Sequence, residues 1–290
     1  MANNSKVKMR LQGHEKFALR EGWLNKGLIM VDRNPTAFLG KNGPDIFGIG
    51  NNMVKSLRYW LKAFGLIDEK PGKGAYLTAI GNLILENDPY FEDSFTLWIL
   101  HSFIAKNIEE ATSWYMFFNR SGVEDLSKEQ IESILVREIT KYASGTSFSE
   151  KSVKNDLDVL LNMYSKEKSN DDPEDKSRSP FAVLNLVKNV DGRYSKNHPN
   201  RKIINEWVVL YELSNLLEDK EFISIEDAVD GEKGLSNIYQ LTGIVANELL
   251  DKLDTLDYIR INRTAGLDVI YKNSQFTATS VVEDYYKNKR

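Results

Sequence analysis

The residues best suited to chemistry lie close together in one segment, GNNMVKSLRYWLKAFGLI, at positions 50–67. At about 100 degrees per residue, their spacing predicts an amphipathic helix. One side of this helix is apolar and consists of Met53, Val54, Leu57, Trp60, Leu61 and Phe64. The other side is polar and consists of Asn51, Asn52, Lys55, Arg58, Tyr59 and Lys62. This polar side contains no acid.

The polar side has the chemistry of a helix that enters the major groove of double-stranded DNA. Asn and Arg side chains pair bidentately with adenine and guanine, and Lys neutralises phosphate. Lys70 and Lys73 belong to the sequence DEKPGKG, which predicts a hairpin tip directly after the helix. On this interpretation the hairpin is a wing whose two lysines reach the adjacent DNA backbone.

A second interpretation is that the cations only solvate the outer face of a core helix. The acid-free face, the hairpin and the local charge favour DNA contact instead. Residues 1–80 contain 13 Lys or Arg and 6 Asp or Glu, a net charge of +7, whereas the rest of the chain has a net charge of −11. We therefore expect the positive potential to be confined to the N-terminal region.

Histidines and acids form a weaker candidate site. The segment GHEKFALREGWLNKG places His14, Glu15 and Arg20 among apolar residues. The chain has only 3 histidines, and neither HExxH nor another metal-ligand spacing is present. We therefore expect His14 to act in helix capping or a buried ion pair. His101 lies on an apolar helix and is expected to be a hydrogen-bonded core residue.

Motifs of known catalytic or cofactor-binding types are missing from the sequence. It has no phosphate-binding GxxxxGK[ST], no GxGxxG after a strand and no GxSxG. Because the chain has no cysteine, disulfides, thiolate metal sites and thiol nucleophiles are excluded. The sequence thus predicts no catalytic residue, metal or cofactor. An active site formed from scattered acids between modules is left open.

The elements that position the candidate residues begin with two predicted helices, at residues 17–28 and 35–39. The amphipathic helix follows at 53–64 and is ended by Gly65. A strand pair around the DEKPGKG tip comes next. Helix, turn, helix and hairpin is the order of a winged helix-turn-helix.

The middle of the chain is also predicted to be helical. Residues 95–108 contain enough apolar side chains to form a largely buried helix. Ser127 and Gln130 have the spacing of a capping box ahead of a helix over 128–143, and Ser149 is expected to cap the next helix. This pair of helices is a candidate second helix-turn-helix.

The last region predicts helices at 203–217 and 236–254 and a short strand at 223–225. Alternating apolar residues over 258–271, around a turn, predict a hairpin. This region again ends in a helix and a hairpin, so we expect a degenerate winged helix.

The predicted fold class is therefore mainly α with short β-hairpins, in tandem winged-helix-like modules. The predicted modules are a basic N-terminal one at 1–122, a middle helix-turn-helix-like one at 123–167 and a C-terminal one at 181–290. A linker at 168–180 is charged and contains no apolar residue. With no stretch of roughly 18 apolar residues and no signal-like start, we expect a cytoplasmic protein and no membrane partner.

Five segments, in order along the chain, resemble successive blocks of a bacterial family called domain of unknown function four-thousand-and-seven. They are GHEKFALREGWLNKG, GIGNNMVKSLRYWLKAFGLI, LTAIGNLIL, DPYFEDSFTLWILH and KSVKNDLDVLLNMY. The family has no established biochemical activity. The resemblance implies a genomic context beside phosphoadenosine-phosphosulfate-reductase-like genes and DNA phosphorothioation or related phage-defence genes. In the family, Lys usually stands where this chain has Asn51, which removes one phosphate-contacting cation.

Together the residues and the resemblance predict a non-enzymatic DNA-binding protein of a bacterial DNA-modification or phage-defence system. It would act as a regulator or as a DNA-recognition subunit. Its expected partners are double-stranded DNA and other subunits of such a complex. The alternative is a protein-interaction adaptor with no direct DNA contact, in which the acidic C-terminal two-thirds binds a basic partner.

Overall fold

The computed structural model describes residues 7–165 and 179–289. Residues 168–178, most of the predicted linker, lie outside the described residues. In the described part helices predominate, and short strands form three small antiparallel sheets. The expected combination of helices with short β-hairpins is therefore confirmed. No described helix has both the length and the apolar character that a membrane span needs.

The first unit of the fold contains the predicted amphipathic helix. It consists of α1 (Trp23–Arg33), α2 (Gly43–Phe47), α3 (Asn51–Ala63), β1 (Ile67–Lys70) and β2 (Gly74–Leu77). Strands β1 and β2 pair as an antiparallel hairpin. Helix α3 and the hairpin match the prediction closely because both depend on local sequence, namely apolar periodicity and turn residues.

The two helices predicted near the start of this unit differ from the observed ones. Helix α1 begins at Trp23, directly after Gly22, whose φ of 77° is left-handed. Residues 35–39 form turns and not a helix. There the side-chain oxygen of Asn34 accepts hydrogen bonds from the backbone and the hydroxyl of Thr36, at 3.1 and 2.8 Å. Such local side-chain bonds compete with helix formation.

Gly74 is required where the hairpin crosses the loop that follows α1. Its φ is 107°, and a Cβ atom here would lie 2.1 Å from the backbone oxygen of Pro35. The neighbouring Ala75 donates its N–H to the same oxygen at 2.8 Å. This contact fixes the hairpin beside the helices of the first unit, and no side chain fits in it.

A helical layer follows the hairpin. It consists of α4 (Ala79–Asn87), α5 (Ser94–Lys106), α6 (Thr112–Tyr115) and a π-helical turn (Met116–Arg120). Thr78 caps α4 by accepting a hydrogen bond from Gly81 N–H at 3.0 Å. Ten of the 13 residues of α5 are buried, so this helix lies inside the core, as its sequence predicts.

The second unit consists of β3 (Leu126–Ser127), α7 (Lys128–Ala143), α8 (Glu150–Ser165), β4 (Val187–Val190) and β5 (Arg193–Lys196). The predicted capping box is confirmed. Ser127 N–H donates to Gln130 Oε1 at 2.8 Å, and Gln130 N–H donates to Ser127 Oγ at 3.4 Å. The three strands form a sheet in the order β3-β5-β4.

This sheet joins residues on both sides of the predicted linker. Strand β3 pairs with strand β5 in antiparallel register. Beside it, the Nζ of Lys196 donates to the carbonyl oxygens of Phe118 and Ser121 at 3.0 and 2.7 Å. Residues 181–196 thus pack with the middle of the chain, whereas the sequence assigned them to a separate C-terminal module. Local composition does not encode strand pairing with a distant segment.

The third unit and the C-terminal helix complete the fold. They consist of α9 (Glu206–Leu216), β6 (Phe222–Ser224), α10 (Ile225–Val229), α11 (Leu235–Ile238), α12 (Gly243–Thr255), β7 (Ile259–Asn262), β8 (Val269–Lys272) and α13 (Ala278–Lys289). The sheet order is β6-β8-β7. The helix predicted over 236–254 is two helices, because Thr242 caps α12 by accepting a hydrogen bond from Val245 N–H at 3.3 Å.

Candidate nucleic-acid interface

Helix α3 has the two faces that its sequence predicts. Its buried side chains include Val54, Leu57, Trp60 and Leu61, which belong to the hydrophobic core. Its exposed side chains include Asn51, Asn52, Lys55 and Arg58, while Lys62 is half-buried. The helix begins after Gly50, which supplies no side-chain cap, and its first turn contains no acid.

Tyr59 does not lie on the exposed side, so the prediction for this residue is wrong. Its side chain is 2% exposed because the N-terminal segment covers it. The Arg10 guanidinium lies 5.1 Å from the ring centroid, and the His14 ring packs edge-on at 6.1 Å. A Cβ atom at Gly13 would lie 2.4 Å from the Tyr59 ring. Burial raises the pKa of the Tyr59 hydroxyl well above its usual value.

Arg58 and Lys62 each face an acid from another element. Glu69 lies on strand β1, and both of its carboxylate oxygens accept hydrogen bonds from Arg58. The Nε of Arg58 donates to Oε1, and its Nη2 donates to Oε2 at 2.9 Å. The Nζ of Lys62 lies 3.5 Å from Glu69 Oε2 and 3.7 Å from Glu110 Oε1. The acid-free face of α3 therefore meets acids that the hairpin and the segment before α6 supply.

These contacts shift the pKa values of both partners. Partial burial by itself raises the pKa of Glu69, but the hydrogen bonds and charges of Arg58 and Lys62 outweigh it and hold the pKa below its ordinary value. The hydrogen bond to Glu69 is the main reason why the pKa of Arg58 is raised, against the lowering effect of burial. Both groups are therefore ionised at neutral pH.

Lys55, Lys70 and Lys73 have no carboxylate partner within residues 7–165 and 179–289. The Nζ of Lys55 donates to the side-chain oxygen of Asn52 at 3.3 Å. The Nζ of Lys70 lies 5.2 Å from the centroid of the Tyr76 ring, and Lys73 is exposed at the hairpin turn. An exposed lysine without a carboxylate partner is available to an anion such as phosphate.

A surface groove of about 530 Å³ lies between α3 and the hairpin. Its lining includes the cations Arg58, Lys62 and Lys70, the acids Asp68 and Glu69, and the apolar residues Phe38, Leu39 and Pro71. Of the predicted DNA-contacting residues, this groove brings together Arg58, Lys62 and Lys70, whereas Asn51, Asn52, Lys55 and Lys73 do not line it.

Glu69 is the functional candidate that the sequence analysis missed. Side chains alternate between the two faces of a strand, so Glu69 shares a face with Ile67. Ile67 is buried and Asp68 is exposed. This alternation is the signal that directs Glu69 towards α3. Its pairing with Arg58 depends on how the hairpin is placed beside the helix, which the sequence pattern does not give.

The weaker candidate, His14, is a buried residue that is hydrogen-bonded to the carboxylate of Asp156. Its Nδ1 accepts the Lys16 N–H at 3.1 Å, so its Nε2 carries the proton and donates to Asp156 Oδ1 at 2.8 Å. The His14 ring stacks on Trp60 with 5.8 Å between centroids. The side-chain exposures of His14 and Asp156 are 0% and 2%, so no substrate can reach this pair.

His101 is a hydrogen-bonded core residue, as predicted. Its Nδ1 and Nε2 each lie 2.7 Å from a partner, the Tyr164 hydroxyl and the Ile238 carbonyl. Burial is the main cause that lowers the pKa of His101 to about 4. Among the described residues, no group of three or more His, Cys, Asp or Glu side chains is arranged to hold a metal ion.

Two solved structures share this fold. The SspB crystal structure has a TM-score of 0.85 at 23% identity, and the match covers 98% of this chain and 90% of that chain. The magnesium ion-bound SspB crystal structure has a TM-score of 0.85 at 22% identity and covers 99% of this chain and 91% of that chain. At this identity the likeness shows the fold alone.

None of the curated proteins is similar enough in sequence to count as a relative. The family described as "Protein of unknown function (DUF4007)" matches residues 11–286. This match spans nearly the whole chain and includes the helix, the hairpin and the buried network described above. The chain therefore belongs to the DUF4007 family, as its ordered sequence blocks predict.

Proposed function

We propose that this chain binds double-stranded DNA through helix α3 and the β1–β2 hairpin. The observation that carries the proposal is the exposed side of α3, where Asn51, Asn52 and Lys55 lie next to an uncapped helix N-terminus. Such an N-terminus attracts phosphate through its free N–H groups and its dipole. Lys70 and Lys73 are two further exposed cations on the hairpin that follows α3.

We further propose that the three units are winged helices in tandem. In the second and third units the first strand lies beside the last, with the orders β3-β5-β4 and β6-β8-β7, and helices connect the first strand to the hairpin. In the first unit, the hydrogen bond from Ala75 to Pro35 takes the place of the first strand pairing. The last described α-helix before the hairpin is α3 in the first unit, α8 in the second and α12 in the third, and in the second unit a 3-10 helix (Pro180–Leu184) also precedes the hairpin.

Charge favours the first unit as the one that contacts DNA. Of these three helices only α3 contains no Asp or Glu. On α12, the exposed acids Glu248 and Asp251 pair with Arg201 and Arg263. On α8, Asp158 pairs with Lys128. Of these three helices, α3 therefore repels a phosphate backbone least.

The wider role is that of a DNA-recognition subunit or regulator in a bacterial DNA-modification or phage-defence system. Two observations support this part of the proposal. The chain belongs to the DUF4007 family. The resemblance of its sequence blocks to that family implies a place beside DNA phosphorothioation and phage-defence genes. The chain also shares its fold with SspB over nearly the whole length of both chains.

A specific observation favours a second candidate, a protein-interaction adaptor. On the sheet of the third unit, Phe222 and Tyr271 are 52% and 36% exposed, with ring centroids 5.6 Å apart. Arg260 is the next residue in the same cross-strand row. Exposed aromatic and Arg side chains are enriched at protein interfaces. A recognition subunit can have both surfaces, so the adaptor is the better description only if DNA binding fails.

The test is a fluorescence-anisotropy titration of labelled duplexes, plain and phosphorothioate-containing, at two salt concentrations. Each lysine that contacts phosphate releases bound counterions. Lys55→Ala with Lys73→Ala should therefore weaken binding to all sequences and flatten the salt dependence by about one unit of slope per lysine. Lys220→Ala, an exposed lysine of the third unit, is the matched control and should change neither quantity.

Arg58→Ala should blur any sequence preference by about 1 to 3 kcal/mol if its guanidinium contacts a base, and should weaken binding to all sequences alike if it contacts a phosphate. The melting temperatures of all these variants should stay close to that of the parent, because the side chains lie outside the core. Absence of duplex binding by the parent at low salt, or undiminished binding by the Lys55 and Lys73 double variant, would overturn the proposal and favour the adaptor.

A further inference from the structure

The groove between α3 and the hairpin already contains an anion, the carboxylate of Glu69. It bonds the Arg58 guanidinium with both oxygens and lies 3.5 Å from the Nζ of Lys62. We infer that Glu69 is an intramolecular competitor for a DNA phosphate, which must displace it to reach Arg58 and Lys62. This inference rests on the proposed DNA-binding function and defines a phosphate subsite within the same surface.

The chemistry of the pair supports an exchange. A carboxylate and a phosphate each offer two oxygens to the planar fork of a guanidinium, in the same bidentate arrangement. Glu69 occupies the Nε and Nη2 edge of Arg58 in this way. That edge of Arg58 therefore cannot bind Glu69 and a phosphate together.

The position of the pair allows it to open. The Arg58 and Glu69 side chains are 46% and 20% exposed, so the pair lies at the surface, where salt ions screen its attraction. The Nζ of Lys62 lies 3.5 Å from Glu69 Oε2 and 3.7 Å from Glu110 Oε1, which is longer than a typical charge-assisted hydrogen bond, so these two contacts are weak. The groove of about 530 Å³ that these residues line gives a phosphate access to both cations.

Glu69 should therefore reduce the affinity for duplexes of any sequence. While it holds Arg58 and Lys62, these cations release no counterions on binding, and the carboxylate repels the nearest phosphate. Its removal should strengthen binding and steepen the salt dependence. A change of one charge elsewhere on the hairpin should have a smaller effect.

Asp68 provides a matched control for the experiment. It is the neighbouring residue on β1, it is exposed, and within the described part of the chain it forms no ion pair. We compare Glu69→Gln with Asp68→Asn, each of which removes one negative charge, by anisotropy with a labelled plain duplex. Glu69→Gln should raise the affinity roughly tenfold at low salt and steepen the salt slope by about one to two units, against roughly twofold or less for Asp68→Asn.

The double variant Arg58→Gln/Glu69→Gln isolates the proposed contact. It should lose most of the gain that Glu69→Gln produces, because the freed cation is then missing. Equal affinities for Glu69→Gln and Asp68→Asn, or a gain that persists without Arg58, would overturn the inference. The losses in Lys55→Ala and Lys73→Ala would then still support DNA binding. No binding by the parent or by Glu69→Gln would instead overturn the proposed function, and the inference with it.

A second measurement does not depend on how well the Glu69 variant folds. In the parent protein, the Nε–H signal of Arg58 can be followed by nuclear magnetic resonance and assigned by its loss in Arg58→Lys. Saturation with the duplex should shift this signal as its acceptor changes from carboxylate to phosphate. An unmoved Arg58 signal at saturation, while other residues of α3 shift, would show that Glu69 keeps its partner and that the inference is wrong.

Discussion

Asp156 is the acceptor at the centre of a buried polar network. Its Oδ1 accepts hydrogen bonds from the Gln12 N–H and from His14 Nε2, both at 2.8 Å. Its Oδ2 accepts a hydrogen bond from the Ser113 hydroxyl at 2.6 Å. These contacts connect the N-terminal segment, α6 and α8, and the same segment covers Tyr59 on α3. The network thus fixes the position of the helix that presents the candidate interface.

We predict that His14→Ala acts through folding. The substitution removes one donor from a buried carboxylate, which should lower the free energy of unfolding by about 1 to 3 kcal/mol. Urea denaturation measures this loss, and Lys16→Ala, an exposed neighbour, is the control. Unchanged stability would contradict the prediction. So would stoichiometric zinc or manganese that the parent retains through gel filtration and the variant loses.

A second buried histidine should make stability depend on pH. The pKa of His101 is lowered from 6.5 to about 4, mainly by burial. Below pH 6.5 the unfolded chain binds a proton that the folded chain does not. The stability that the neutral His101 ring contributes is therefore complete above about pH 6.5. It is lost progressively as the pH falls to about 4, on the order of 3 kcal/mol in all.

The measurement is the free energy of unfolding of the parent and of His101→Gln between these two pH values. A glutamine amide can still donate to the Ile238 carbonyl and accept from Tyr164, but it does not titrate. We expect a smaller loss of stability on acidification for the variant, since other groups still titrate in both proteins. Parallel pH profiles would show that His101 does not contribute.

At the scale of elements, α3 separates the residues that support the fold from those available to a ligand. Leu61 is fully buried, whereas Lys55 is exposed. Leu61→Ala should cost about 2 to 5 kcal/mol of unfolding free energy, because it leaves a cavity in the core. Lys55→Ala should change the same quantity by about 0.5 kcal/mol or less. Denaturant unfolding checks both, and a loss below about 0.5 kcal/mol for Leu61→Ala would show the apolar face to be solvent-exposed.

The same elements show why some features could be predicted and others could not. Helix α3, the hairpin and the Ser127 capping box depend on residues close in sequence, and all three were predicted. Tyr59 was misassigned because its cover comes from residues 10–14, outside the helix. Helix α1 begins late because the left-handed Gly22 precedes it, which apolar periodicity does not detect.

The candidate site could also be predicted only in its local features. The exposed side of α3 and the two hairpin lysines follow from periodicity and turn residues. The contact between Arg58 and Glu69 depends on the angle between helix and hairpin, which the bond from Ala75 to Pro35 helps to fix. Such non-local geometry has no signature in the spacing of residues along the chain.

At the scale of the whole molecule, contacts cross the segment that the sequence predicts as a linker. Phe64 stacks on Phe181 with 5.2 Å between ring centroids. The Trp98 indole donates to the carbonyl oxygen of Ile203 at 2.6 Å. Together with the β3–β5 pairing, these contacts join the residues before 166 to those after 178 through the core.

This arrangement gives a prediction for limited proteolysis. Residues 170–180 lack apolar anchors and should contain the first internal cut, for example by trypsin at Lys176 or Arg178. Because strand pairing and core contacts join the two sides, the fragments should separate on a denaturing gel but elute together in gel filtration under native conditions. Mass spectrometry locates the cut. Dissociation of the fragments would show that the core does not join the two sides of the cut. A first cut within residues 53–64 would show that helix α3 is not held in that core.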